Sequence, residues 1–347
     1  MPSLSPDLPE RPRILVAGAG AIGCTLATRL AAAGHTVSLL ARGHTLQTVR
    51  EQGLRLDDLN GRTEVRVPVA SRAADLGPQD LVFLCSKAQD LPALSAQVLP
   101  VLAPGALVVP LVNGVPFWYF HRCGQRFEGQ AVQAVDPDGQ LLRQLPMDRV
   151  LGAVVFVTAE SPEPGWCVSR TPHLIMLGEL GGGLAPRLQA VCQLLSSAGI
   201  EGRPLERIRD KLWTKLIANL TSNPLSVVTG ATLEEIYTRD SLLPTVRAVM
   251  HEVMLAASAY GARLEIDPIE FIQLGAAMGP VRTSMLQDLE RGRPLELAAI
   301  GDAMVELGAH YGLPMPATRA LIDLARWRQP RLQAEAPQPQ AAPPVAA

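Results

Sequence analysis

Short apolar runs alternate with helical patterns along the first part of the chain. Arg13–Ala17 (RILVA), Thr36–Ala41 (TVSLLA), Asp80–Cys85 (DLVFLC) and Ala106–Leu111 (ALVVPL) are nearly continuous in apolar residues. Runs of that length without alternation predict strands buried on both faces of a parallel sheet. Ala21–Ala33 predicts a helix directly after the first strand, with Gly34 at its C-terminal stop. Strands separated by helical stretches imply βαβ units. Beyond a turn at Asp136-Pro137-Asp138-Gly139, Val150–Thr158 and Leu174–Gly178 predict added strands, some of them antiparallel. From Glu206 the strand signal fades, and helical patterns with Gly and Pro stops continue to Arg328. The expected organisation is a loose, Pro-rich segment (1–12), a doubly wound α/β domain (13–204), an all-helical domain (205–330) and a disordered Ala/Pro/Gln tail (331–347).

The junction of the first strand and first helix reads Gly18-Ala19-Gly20-Ala21-Ile22-Gly23. This GxGxxG pattern stands where a dinucleotide site needs it, after a strand and opening a helix. The first Gly permits the tight turn, the second lets backbone approach a pyrophosphate, and the third lets helix pack on strand. The N-terminal domain is therefore expected to be of Rossmann type. The second strand ends Leu40-Ala41-Arg42, with no carboxylate for a ribose 2′-hydroxyl. Arg42 can instead hold a 2′-phosphate bidentately, which favours NADP(H) over NAD.

Two further loops follow strand ends, where open parallel sheets bind ligands. Lys87, in Cys85-Ser86-Lys87-Ala88-Gln89, is either a ligand contact or a solvated loop lysine. Asn113, before Gly114, is either a hydrogen-bonding site residue or part of an Asn-Gly turn. In the second half, Lys215, Asn219 and Asn223 have i, i+4, i+8 spacing and share one helix face. A lysine in a cleft can protonate a developing alkoxide, and burial lowers its pKa toward a useful range; the alternative is a polar face in water. Ser284 begins or enters a helix, as a site residue or a cap. Pro294 suits a further first turn that would include Glu296, as a site residue or a dipole-favoured carboxylate.

Composition narrows the classes. The chain has 347 residues, a formal net charge of -2 and 48 % hydrophobic residues, so two cores are affordable and no basic surface points to nucleic acid. No signal peptide or membrane-length apolar run is present, which predicts a cytoplasmic protein with no membrane partner. Five scattered cysteines without a CxxC pair predict isolated thiols. No metal-ligand spacing occurs, and His121 and His173 read as structural.

Taken together, ILVAGAGAIG, LLARG, CSKAQ, VNG, KLWTKLIANLTSNPLS, TSMLQDLERGRPLE and GLPMPAT resemble the ketopantoate reductase (2-dehydropantoate 2-reductase) family from about Arg13 to Arg328. The resemblance implies NADPH-dependent reduction of ketopantoate to pantoate, on the route to pantothenate and coenzyme A. It implies an active site between the domains and a homodimer. It makes Lys215 the proton donor and Glu296 a residue of the cofactor–substrate junction. Asn219, Asn223 and Ser284 become substrate contacts. Arg42, Lys87 and Asn113 become cofactor-side residues, with Asn113 also near substrate. One segment departs from the family: Phe117-Trp118-Tyr119-Phe120 gives four consecutive aromatics, followed by a long 122–144 connection. They form either a pocket for a bulkier 2-oxo acid or imine, or a hydrophobic plug, buried or dimer-facing. A rival of another class is an NADPH-sensing module without turnover, against which Lys215, the asparagine face and Glu296 speak.

Overall fold

The computed structural model describes residues 8–124 and 126–335. The chain divides between Leu212 and Trp213 into two compact units.

The first unit contains strands β1 (Arg13–Ala17), β2 (Thr36–Leu40), β3 (Leu54–Asp58), β4 (Gly61–Val65), β5 (Val69–Ala70), β6 (Gln79–Leu84), β7 (Leu102–Pro110), β8 (Leu151–Phe156), β9 (Ala159–Glu163), β10 (Trp166–Ser169), β11 (Leu174–Glu179) and β12 (Glu201–Leu205). Helices α1 (Ala21–Ala32), α2 (Gly43–Gln52), α3 (Leu91–Val98), α4 (Gln140–Gln144) and α5 (Pro186–Ser197) connect them. A parallel sheet runs in the order β5-β2-β1-β6-β7. Ile14, Leu15 and Val16 of β1 are all 0 % exposed, which explains the unbroken apolar run. A second sheet, β12-β11-β8, pairs β11 antiparallel with β8 and parallel with β12. One parallel bridge, Val108 to Val150, joins it to the edge of the first. The antiparallel addition expected from the sequence is this β8–β11 pair.

A third sheet, β4-β3-β10-β9, was not legible in the pattern. It packs on α1, whose other neighbours are β1 and β2. One apolar core unites α1, the parallel sheet, β8, β11 and α5 through Leu26, Leu30, Phe83, Val109, Leu177 and Leu195.

Helix α6 (Ile208–Thr229) starts in the first unit and continues into the second, so the division falls inside it rather than at residue 204. The second unit continues with α7 (Leu233–Thr238), α8 (Leu243–Ala259), α9 (Pro268–Ala277), α10 (Ser284–Glu290), α11 (Ala303–His310) and α12 (Pro316–Glu335). Its described residues contain no strand. Thr232 and Glu235 form a capping box on α7. Glu252 of α8 accepts from the backbone N–H groups of Ala317 and Thr318, each at 2.8 Å, and so caps α12. Trp213, Tyr260 and Tyr311 form an aromatic cluster, with Trp213 tilted against Tyr260 (centroids 5.8 Å apart) and Tyr311 edge-on to it (4.8 Å).

Both chain ends differ from expectation where they can be compared. Leu8 packs against the core rather than hanging loose. Residues 331–335, expected in the tail, belong to α12 instead. Residues 1–7 and 336–347 of those expectations lie outside the described residues.

Candidate active site

The glycine turn has the geometry of a phosphate cradle. Gly18 has φ +113°, and its N–H donates to Leu40 O at 3.1 Å. A Cβ on Gly18 would stand 2.8 Å from Cys85 O, and one on Gly23 would stand 1.9 Å from Gly18 O. Only glycine fits either place, so α1 begins hard against the ends of β1 and β6. The N-cap, Gly20, is exposed and supplies no side chain to cap the helix, and the first turn of α1 contains no acidic residue. The first N–H groups of α1 and its positive dipole end are thus left for an external anion. These residues fit a dinucleotide pyrophosphate.

Arg42, Lys87 and Asn113 follow β2, β6 and β7, which are parallel to β1 in the same sheet. All three therefore lie at the edge that carries the glycine turn. Arg42 is the extended residue before α2; its side chain is 89 % exposed, with Nη2 3.8 Å from Asp90 Oδ1. Lys87 and Asn113 are half-buried.

The second group of residues gathers around α6. Its helical backbone puts Lys215, Asn219 and Asn223 on one face. Asn223 Nδ2 donates to Asn219 Oδ1 at 3.3 Å, while Asn219 Nδ2 is buried without a partner among the described residues. Burial pushes the Lys215 ammonium down to about 8, and the Glu296 carboxylate pulls the other way. Glu296 does not lie in a first helical turn as expected. The helical backbone begins at Leu297 and passes through a π-helical stretch, Ala298–Asp302, before α11, and Glu296 O accepts from Ile300 N at 3.0 Å. A π stretch arises where the ordinary i→i−4 ladder is displaced, often next to functional groups.

Ser284 is the first residue of α10 and is exposed, but it is not the cap. Thr283 fills that role, accepting from Leu286 N at 3.2 Å. Thr283 Oγ1 also lies 2.6 Å from Ser226 Oγ, whose hydroxyl donates to Asn223 O at 2.7 Å. This buried chain holds the start of α10 beside the Asn223 end of α6. Neither Thr283 nor Ser226 is marked in the sequence; the TSM run signals a helix start but not which hydroxyl caps it.

The aromatic segment is a plug inside the first unit. Phe117, Trp118, Tyr119 and Phe120 are each at most 2 % exposed. Trp118 lies against Gly152 of β8, where an added Cβ would come within 2.9 Å of the indole. Arg209, in the first turn of α6, donates to Tyr119 O (2.8 Å), Leu180 O (2.6 Å) and His121 O (2.7 Å). The five cysteines are isolated thiols, as expected. None is in a disulfide; Cys24 Sγ donates to Ala19 O at 3.4 Å and Cys167 Sγ to Ala21 O at 3.5 Å. His173 is buried and bonded to Ser169 Oγ at 2.9 Å, a structural role. No group of metal-binding side chains occurs among the described residues, and no described helix is long and apolar enough to cross a membrane.

Comparison with known proteins agrees with this geometry. Residues 14–182 match the family described as ketopantoate reductase PanE/ApbA, and residues 207–329 match its C-terminal region. The chain belongs to the ketopantoate reductase family. A 2-dehydropantoate 2-reductase of Mesorhizobium japonicum is 37 % identical over 315 residues, covering 90 % of this chain and 97 % of that one. A chain from Ralstonia solanacearum MolK2, solved as a candidate ketopantoate reductase, superposes with TM-score 0.87 at 37 % identity, over 92 % of this chain and 98 % of its own. The 2-dehydropantoate 2-reductase of Geobacter metallireducens GS-15 gives TM-score 0.79 at 26 % identity, over 91 % and 99 %. As a member of the ketopantoate reductase family, the chain is an oxidoreductase with the fold expected from its sequence, a Rossmann-type domain followed by an all-helical one.

Proposed function

We propose that this chain reduces 2-dehydropantoate to pantoate with NADPH, and that Lys215 donates the proton. The observation that carries the reading is the α6 cluster. It combines an ammonium depressed to about 8, the attraction of the Glu296 carboxylate and a buried amide donor with no partner among the described residues. A purely structural polar face would sit in water with an ordinary pKa, or would satisfy its buried donors internally.

Bound NADPH supplies the hydride that adds to the ketone carbon. The glycine turn holds the pyrophosphate, and Arg42 the 2′-phosphate. Lys87 and Asn113 line the same edge as cofactor-side residues, and Asn113 also reaches substrate. Lys215 donates a hydrogen bond to the ketone oxygen and transfers its proton as that oxygen gains charge. Glu296 favours the protonated lysine before the reaction. Asn219 Nδ2, fixed by Asn223, donates to a substrate oxygen, and Ser284 meets the substrate carboxylate. The products are the 2-hydroxy acid and NADP⁺, so the lysine must regain one proton per turnover.

The test is a panel of 2-oxo acids, including aryl-substituted ones, with NADPH or NADH, followed at the nicotinamide absorbance. Ketopantoate should exceed every other acid by about 10-fold or more in kcat/KM. Another acid ahead by that margin would favour a bulkier substrate. Tight NADPH binding without oxidation by any acid would favour a sensor. The burial of the aromatic segment, each ring at most 2 % exposed, supports ketopantoate over a bulkier acid.

We also propose a homodimer. The apolar residues Leu274 and Met278, one turn apart at the end of α9, are 66 % and 45 % exposed, and association would cover them. Light scattering should give twice the chain mass, and Leu274→Glu should return it to one.

A further inference from the structure

Arg42 follows β2 and Asp90 follows β6, and in the sheet these strands flank β1 on opposite sides. The carboxyl end of β1 carries the glycine turn. Even so, Arg42 Nη2 and Asp90 Oδ1 approach to 3.8 Å. The pair therefore closes over the edge along which a dinucleotide would run. With side chains 89 % and 47 % exposed, the contact is screened and easily opened. The backbone beneath Asp90 is fixed: its N–H donates to Lys87 O at 3.0 Å, and the residue leads into α3. The end of β2 lacks the carboxylate that would receive ribose hydroxyls at an NAD site. Asp90 brings a carboxylate to the same place from the other side of β1.

We propose that Asp90 is a cofactor-discriminating residue that opposes Arg42. Its carboxylate accepts the adenosine ribose hydroxyls of NADH and repels the 2′-phosphate that Arg42 attracts. The inference rests on the reading above, in which a nicotinamide dinucleotide lies on the glycine turn with its 2′ position at Arg42. Asp90 then narrows the preference for NADPH and lets the chain use NADH as well. Lys87, in the same loop, adds positive charge at this edge.

Asp90→Asn removes the charge and keeps the shape. Kd and kcat/KM for NADPH and for NADH would be measured on the full chain, at low and at high salt. The two cofactors should move in opposite directions: NADPH gains about 3- to 10-fold, and NADH loses about 3-fold or more. The NADPH gain should shrink at high salt. A folding defect would weaken both together, so a shift of both in one direction, or of neither, overturns the proposal. Failure of the underlying reading shows separately. Arg42→Ala should cost NADPH about 10-fold or more and NADH little. Equal losses there would remove the phosphate clamp, whatever Asp90→Asn does. Dye-free fluorescence titration supplies both Kd values even for a variant without turnover.

Discussion

Asn223 donates its side-chain amide to Asn219 Oδ1 at 3.3 Å, and this one bond settles which way the Asn219 amide faces. Its Nδ2 is left buried and without a protein partner among the described residues. An unmade hydrogen bond at a buried donor costs about 1–3 kcal/mol, so substrate that supplies the acceptor recovers that energy on binding. Asn219→Leu keeps the volume and removes the orphan. It should lower kcat/KM by about 10- to 100-fold while leaving the melting temperature unchanged or higher. Steady-state kinetics and a thermal melt on the same preparation check both halves. Asn223→Ala should show a smaller kinetic loss, because Asn219 remains but is free to turn over.

The Lys215–Glu296 pair predicts a pH limb. The proton donor must be charged, so kcat should fall as pH rises through about 8. Glu296→Gln deletes the attraction that holds the pKa up, and the limb should move to lower pH. A profile of kcat at saturating substrate reads this directly. An unmoved limb would separate Glu296 from the lysine.

Stability should show the opposite face of the same burial. A lysine depressed to about 8 in the folded chain takes up a proton less readily than in the unfolded chain, at 10.5. Its folded form is therefore penalised below about 8, and the penalty is relieved as pH rises from there toward 10.5. Lys215→Met should melt higher than the parent at neutral pH, and the gap should narrow above pH 8. Melting curves across that range test the sign.

The glycine turn predicts two different failures from similar substitutions. Gly23→Ala places a methyl 1.9 Å from Gly18 O, so it should destabilise the fold and abolish cofactor binding together. Gly20→Ala meets nothing within 4 Å, so the protein should melt normally. Its methyl occupies the approach to the pyrophosphate, and NADPH affinity should drop about 10-fold or more. Titration and melting of both variants separate the packing role from the binding role.

Much of this was legible because the relevant signals are local. The β1–glycine turn–α1 unit is encoded within a dozen neighbouring positions, and β1 runs over the residues its pattern indicates. The face of α6 follows from spacing alone. The sheet β4-β3-β10-β9 was not legible, because its strands are short, partly polar and paired across long stretches: Trp166 of β10 lies opposite Arg55 of β3. β7 begins at Leu102, before the apolar run, and crosses Pro104, which an edge strand tolerates. Thr283 and Ser226 escaped notice because their role is one hydroxyl–hydroxyl contact between distant segments.

The aromatic plug gives a structural prediction. Trp118 is 1 % exposed, and the guanidinium of Arg209 lies 5.7 Å from its ring. Trp118→Ala should cost about 3–5 kcal/mol of stability, the usual range for a buried aromatic. The ranking of 2-oxo acids should stay the same. Chemical denaturation and the substrate panel check this, and a change of preferred acid would return the segment to the substrate pocket.

The most direct test of the account is kcat of Lys215→Met with ketopantoate and saturating NADPH. The variant should bind NADPH with the parent's affinity and lose about 100-fold or more in kcat, the loss expected when a positioned proton donor is removed. A kcat within a few-fold of the parent would contradict the assignment of Lys215 and with it the mechanism built on α6.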